Sequence, residues 1–285
     1  MRDARTIYGV DRATIWLDVA DPRLPLKRIA AHCGDVDLRV GQMPYNARWK
    51  SCIRLHQPDR RALKLLNEAL GQTICAAVTY AEIAADVPCA DAEQAQELQC
   101  RLLGALRVPY ARDEVIIEQG TAYFDRRARP SNSRREPDRR APHVRVVYAD
   151  KPTKLNNARP DDDSPPAVHL EWRASGAAAL RRVGIGSVGD LAAFDHAAFW
   201  RDAVHLYELP GPTELGRLLA ASAGTDQDVS GEALRRRAHR WRDAATIDGA
   251  FVLQNALRNR PGVANRLKRI QWDAWWCNSL QMVST

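Results

Sequence analysis

Long apolar runs are missing from this chain. Across 285 residues no stretch approaches the ~18 consecutive apolar side chains that a membrane helix needs. The opening Met-Arg-Asp-Ala-Arg has none of the apolar centre of a secretory signal. Together these absences predict a cytoplasmic protein with no membrane partner. Closely spaced cysteines are missing as well. The six cysteines, at 33, 52, 75, 89, 100 and 277, form no Cys-x-x-Cys, which argues against a disulfide framework or a structural zinc site and for reduced thiols. The seven histidines include no His-x-His pair. There is no Gly-x-x-x-x-Gly-Lys-Ser/Thr loop, so nothing supports nucleotide hydrolysis. No internal repeat is apparent.

What is present is an ordinary globular composition, 45% hydrophobic and 27% charged, enough for one large domain or two smaller ones. The net charge of +7 is unevenly spread. From Arg126 to Arg140 there are seven arginines against two acids, and from Ser230 to Ile270 ten Lys/Arg against three acids. Clustered arginine suits a phosphate backbone, and a solubilising surface gives the same count. On the first view Arg126, Arg127, Arg134, Arg135, Arg235, Arg236, Arg237 and Arg240 are DNA-binding candidates.

Periodicity predicts strands over Ala13–Val19, Trp49–Leu55, Ile74–Val87, Val115–Glu118, Thr121–Phe124, and around Tyr148 and Glu171. It predicts helices over Pro25–Cys33, from the Asp59 cap to Leu70, over Asp91–Arg107, Asp190–Phe194 and Ala198–Leu206, and from Thr213 onward. Arg126–Pro142, rich in Arg, Pro and Ser, reads as a basic loop. The expected architecture is α+β: a largely antiparallel central sheet with helices packed on it, followed by a basic all-helical C-terminal segment. The boundary falls near Pro210-Gly-Pro212, giving an α+β nicking domain over 1–210 and a DNA-binding helical segment over 211–285. The break at Asn259-Arg-Pro261-Gly262 suits either a helix-turn-helix or ordinary paired helices.

Two places carry chemistry. In a strand alternate side chains share a face, so Glu82 and Asp86 project together from an otherwise apolar run. Buried acids there require arginine partners, hydrogen bonds or a divalent cation. Between Arg145 and Arg173, Tyr148 is followed by Lys151 and Lys154, while His169, Glu171 and Arg173 alternate on the next strand. That set suits phosphoryl transfer, or a solvated sheet face ending in a tyrosine.

Four segments in order resemble the non-histidine-motif replication initiators of rolling-circle plasmids and filamentous phages. They are Val78-Thr-Tyr80-Ala-Glu82-Ile-Ala-Ala-Asp86, Gly120-Thr-Ala-Tyr-Phe124, Arg145-Val-Val-Tyr148-Ala-Asp-Lys151, and His169-Leu-Glu171-Trp-Arg173, spread over about 74–210. Where that family has Arg and Asp, this chain has Tyr80 and Glu82, and its lysine stands three positions after Tyr148 instead of two. Lys154 replaces an acid, and Asp125 stands where a glycine ends the Tyr-Phe strand. The resemblance implies an enzyme that nicks and rejoins DNA through a tyrosyl intermediate, starting rolling-circle replication of a phage, plasmid or integrated element. It makes Tyr148 the nucleophile, aided by Lys151 and Arg173. Glu82, Asp86 and Glu171 would hold Mg²⁺ or Mn²⁺, and Lys154 would contact DNA. The implied partners are single- and double-stranded origin DNA, a host helicase and a second copy of the chain. A conjugative relaxase, or a catalytically inactive DNA-binding regulator of the same fold, is the alternative.

Overall fold

A computed structural model describes residues 6–41, 48–107, 115–118, 121–125, 143–208 and 268–283. Its strands are β1 (Ile7–Leu17), β2 (Asp35–Val40), β3 (Ser51–His56), β4 (Ala76–Pro88), β5 (Leu106–Arg107), β6 (Val115–Glu118), β7 (Thr121–Asp125), β8 (His143–Pro152), β9 (Pro166–Ser175), β10 (His205–Tyr207) and β11 (Arg269–Ile270). Its helices are α1 (Leu26–Ala30), α2 (Arg60–Leu70), α3 (Ala92–Ala105), α4 (Ala177–Arg182), α5 (Val188–Ala193), α6 (His196–Ala203) and α7 (Trp272–Val283). The fold is α+β, as the patterning predicts. Eight strands pair antiparallel in the order β2-β3-β1-β4-β9-β8-β7-β6, and β11-β10-β5 form a small second sheet.

One face of the large sheet holds the core. Ile15 and Leu17 of β1, Ile53 and Leu55 of β3, Ile83 and Val87 of β4 and Val168 and Leu170 of β9 pack against Leu63 and Leu66 of α2 and Leu98, Leu102 and Leu103 of α3. Local chemistry sets where these helices begin. Asp59 accepts from the backbone N–H of Arg61 and of Ala62, both at 2.8 Å, and Asp91 from that of Gln94 at 2.8 Å. Each cap satisfies amides that the first helical turn leaves open. Gly71 then ends α2 at φ 53°, a left-handed turn that glycine makes without strain.

Several expectations are corrected. The first strand runs from Ile7 to Leu17 rather than over Ala13–Val19, and β2 has no counterpart in the predicted elements. The helix predicted over Ala198–Leu206 stops at Ala203. Val204 is extended, and residues 205–207 become β10 because Leu206 pairs with Leu106 and with Ile270. The terminal residues are not all helix, since Arg269–Ile270 is strand. The chain end also returns to the main core: α7 packs on α3, and Trp272, Trp275 and Trp276 are buried there. The Trp200 and Trp272 rings stack at 5.7 Å between centroids. These tryptophans therefore serve packing. The predicted boundary at 210, and the helix-turn-helix segment up to residue 267, lie outside the described residues.

Candidate active site

The opposite face of the sheet is polar, and strand register lays its residues out as a grid. One row across β1, β4, β9 and β8 reads Ile7, Asp86, His169, Tyr148. The next reads Gly9, Ala84, Glu171, Val146, and the third Arg12, Glu82, Arg173, Val144. Small side chains at Gly9 and Ala84 leave the middle of the grid low. A cavity of about 190 Å³ sits there, lined by Asp11, Gln57, Asp86, Tyr148, Lys151, Lys154, His169 and Glu171 among others.

Cross-strand register thus puts Tyr148 and the acids on one face, a convergence that alternation within single strands does not fix. The Tyr148 hydroxyl donates to Glu171 Oε1 at 2.9 Å, and its ring lies flat on His169, centroids 4.4 Å apart. Arg173 donates to Glu171 Oε2 from Nε at 2.8 Å and Nη2 at 2.6 Å, and its Nε lies 3.4 Å from Glu82 Oε1. The Tyr80 hydroxyl donates to that same Glu82 oxygen, with Arg12 at 3.8 Å. Asp86 accepts from Thr153 at 2.6 Å and pairs with His169 Nδ1 at 2.9 Å, while His169 Nε2 donates to the Lys151 carbonyl at 2.7 Å. A carbonyl only accepts, so Nε2 carries a proton, and Asp86 favours a second one on Nδ1.

The electrostatics follow from burial and these contacts. Desolvation pulls the His169 pKa down, but Asp86 and the Lys151 carbonyl outweigh it and leave the imidazole above its ordinary value. Burial raises the Tyr148 phenol, and Glu171 raises it further. Arg173, although desolvated, is held more firmly protonated by Glu171 and Glu82. Glu82, 1% exposed, is pushed up to about 8, first by burial, then by the facing Asp11 carboxyl and by Glu171. Among the described residues nothing donates to its Oε2, so the proton that bonds Glu82 to Asp11 belongs there.

Two bulges make the site. Between Val10 and Arg12 the register slips by one residue, so Val10 and Ala13 both stay in the core while Asp11 and Arg12 both reach the polar face. A second slip between Ala149 and Lys151 takes up the extra residue after Tyr148. Lys151 therefore lines the same cavity despite its three-residue spacing. The segment after β8 then crosses the cavity rim. Asn156 Nδ2 donates to the Tyr8 carbonyl at 2.9 Å, and a Cβ on Gly9 would stand 3.0 Å from Asn156 Oδ1.

Of the residues singled out from sequence, Tyr148, Lys151, Lys154, Asp86 and Glu171 meet in the cavity, with Glu82 and Arg173 one row beyond. Arg126, Arg127, Arg134, Arg135, Arg235, Arg236, Arg237 and Arg240 lie outside the described residues. Asp11, Gln57 and Thr153 had no place in the sequence reading. The out-of-phase apolar pair Val10 and Ala13 is the signal that reveals Asp11. Glu82, Asp86 and Glu171, the residues the resemblance assigns to Mg²⁺ or Mn²⁺, are each engaged by groups of the protein. Arg173 is wedged between Glu82 and Glu171, both Asp86 oxygens are engaged, and among the described residues no three His, Cys, Asp or Glu side chains gather to hold an ion. Burial raises the Cys89 thiol to about 11 and the Cys33 thiol to about 12, which keeps both inert.

The class defined by this geometry is an antiparallel sheet domain with a tyrosine–carboxylate–arginine cluster at the edge of a polar cavity. Comparison with protein-family models finds no match, and comparison with curated proteins finds none.

Proposed function

We propose that this protein nicks and rejoins one DNA strand to start rolling-circle replication of a phage, plasmid or integrated element, with Tyr148 as nucleophile. The observation that carries the reading is the Tyr148 hydroxyl bonded to Glu171 at 2.9 Å, in a cavity also lined by Lys151 and Lys154. Glu171 is placed to take the phenolic proton as the oxygen attacks phosphorus. The P–O3′ bond breaks, the phenolic proton passes by way of Glu171 to the leaving oxygen, and a tyrosyl phosphodiester forms. Reverse attack by a 3′ hydroxyl reseals the strand. Burial and Glu171 hold the phenol above its ordinary pKa, so proton transfer has to accompany attack. Lys151 and Lys154 supply positive charge to the phosphate, and Arg173 orients Glu171. No step here is routed through a metal. Origin DNA is the substrate, and a host helicase and a second copy of the chain belong to the same proposal.

The internal satisfaction of the cluster favours a second reading. Tyr148, Asp86 and Glu171 are all hydrogen-bonded within the protein, which also suits a DNA-binding regulator without activity. Supercoiled plasmids carrying hairpin-forming DNA from beside the coding region separate the two, assayed with Mg²⁺, with Mn²⁺ and with chelator. The wild type is expected to leave nicked circles with protein joined to a 5′ phosphate, and Tyr148→Phe to leave none. Equal nicking by Tyr148→Phe removes the tyrosine assignment. Salt-sensitive binding without cutting by either protein installs the regulator, and cutting confined to a transfer origin installs the relaxase.

A further inference from the structure

Beyond the cavity, the register aligns a set of arginines that the chemistry above does not use. Arg173 on β9 and Arg12 on β1 both flank Glu82 in one cross-strand row, which continues to His56 on β3. The next row reads Tyr80, Thr14, Arg54, Asp37, and the one after it Trp16, Cys52, Arg39. Arg12, Arg54 and Arg39 therefore step diagonally across β1, β3 and β2, one strand over and two residues along each time. Diagonal neighbours on one sheet face lie about 7–8 Å apart. This is the polar face, because the alternating residues Ala13, Ile15, Ile53 and Leu55 are fully buried in the core, whereas the Arg12 and Arg39 side chains are 43% and 57% exposed. Trp16 stands beside the diagonal and is braced edge-on by Trp49, centroids 6.3 Å apart. Asp37 offsets one charge through its 2.8 Å contact with Arg39. Glu82 Oε1 lies 3.8 Å from Arg12 Nη1 and faces that arginine from the cavity side.

We propose that this diagonal is a track for single-stranded DNA, leading from the tyrosine cavity to the β2 edge, with Arg12, Arg54 and Arg39 on successive phosphates and Trp16 under a base. Charge complementarity and continuity with the cavity select this occupant. A row of point charges follows a backbone without reading its sequence, and an indole face stacks on any base. The track rests on the reading of the cavity as a DNA strand-transfer site, yet it is measurable apart from that chemistry.

The test is fluorescence anisotropy of the full chain with a labelled dT20 oligonucleotide over a salt titration. Neutralising three phosphate contacts on a single strand lowers the slope of log affinity against log salt by about 2. The Arg12→Gln/Arg39→Gln/Arg54→Gln protein should show that loss, with affinity reduced about 30- to 100-fold near 0.1 M salt. The corresponding triple lysine protein should keep the slope, which separates lost charge from lost folding. Trp16→Ala should weaken binding about 5- to 50-fold with the slope unchanged. An unchanged slope in the triple glutamine protein overturns the track, as does equal loss in the lysine protein. If the slope falls as expected while the wild type cuts no DNA, the track stands and the nicking reading fails. Normal nicking with an unaffected slope gives the reverse.

Discussion

Glu82→Gln isolates the most costly group in the site. Glutamine keeps the oxygen that accepts from Tyr80 and places an N–H toward Asp11, so it imitates the protonated acid. Folding moves the Glu82 carboxyl from its ordinary 4.5 to about 8. A raised carboxyl pKa means that the folded state holds the proton more tightly than the unfolded chain. Its contribution to stability is therefore complete below about pH 4.5, declines between the two values, and is gone above about 8. At about 1.4 kcal/mol per pH unit, that interval caps the loss near about 5 kcal/mol. Relaxation around the new charge, with Arg173 and Arg12 beside it, brings the expected loss to about 2–4 kcal/mol. The measurement is urea unfolding of both proteins at several pH values from 5 to 9. Other titrating groups, His169 included, are present in both and cancel in the difference. Glu82→Gln should gain on the wild type steadily from pH 5 to about 8 and level off above it. A difference that stays flat within about 0.5 kcal/mol, a margin set by extrapolation error, refutes the shared-proton account of Asp11 and Glu82.

Burial lowers the His196 pKa to about 4, so its neutral form contributes stability above about 6.5 that is lost as pH falls through about 4; His196→Phe should remove about 2–3 kcal/mol of acid sensitivity in unfolding between those limits. Gly9→Ala drives a methyl against Asn156 and Leu155, and should cost about 1–3 kcal/mol in denaturant unfolding; no loss would mean that the segment over the cavity yields freely. Trp276→Ala empties a fully buried site in the shared core and should cost about 3–5 kcal/mol, melting the sheet and α7 in one transition. Asp59→Ala removes both amide contacts of the α2 cap and the 2.9 Å partner of His32, with a cost of about 1–2 kcal/mol in the same assay.

Local sequence determined the elements whose signals are local. The Asp59 and Asp91 caps, Gly71, and the alternation that puts Glu82 with Asp86, and His169 with Glu171 and Arg173, all depend on neighbours a few residues away. Period-two geometry alone placed Tyr148 and the acids on strand faces. Which strands lie side by side is a long-range outcome, and only the tertiary structure decided it. Hydrogen bonding in the order β1-β4-β9-β8 set Asp86 opposite His169 and let Glu171 reach the phenol. Asp11 and Lys151 depend on bulges, each a one-residue slip that inverts the face of everything beyond it, and no propensity of a single residue announces one. The fate of the buried acids was likewise decided in three dimensions. A carboxylate in an apolar run demands compensation, but whether that is an arginine, a shared proton or an ion depends on groups far away in the chain. Here Arg173 and Asp11 come to Glu82 because three strands bring them within reach.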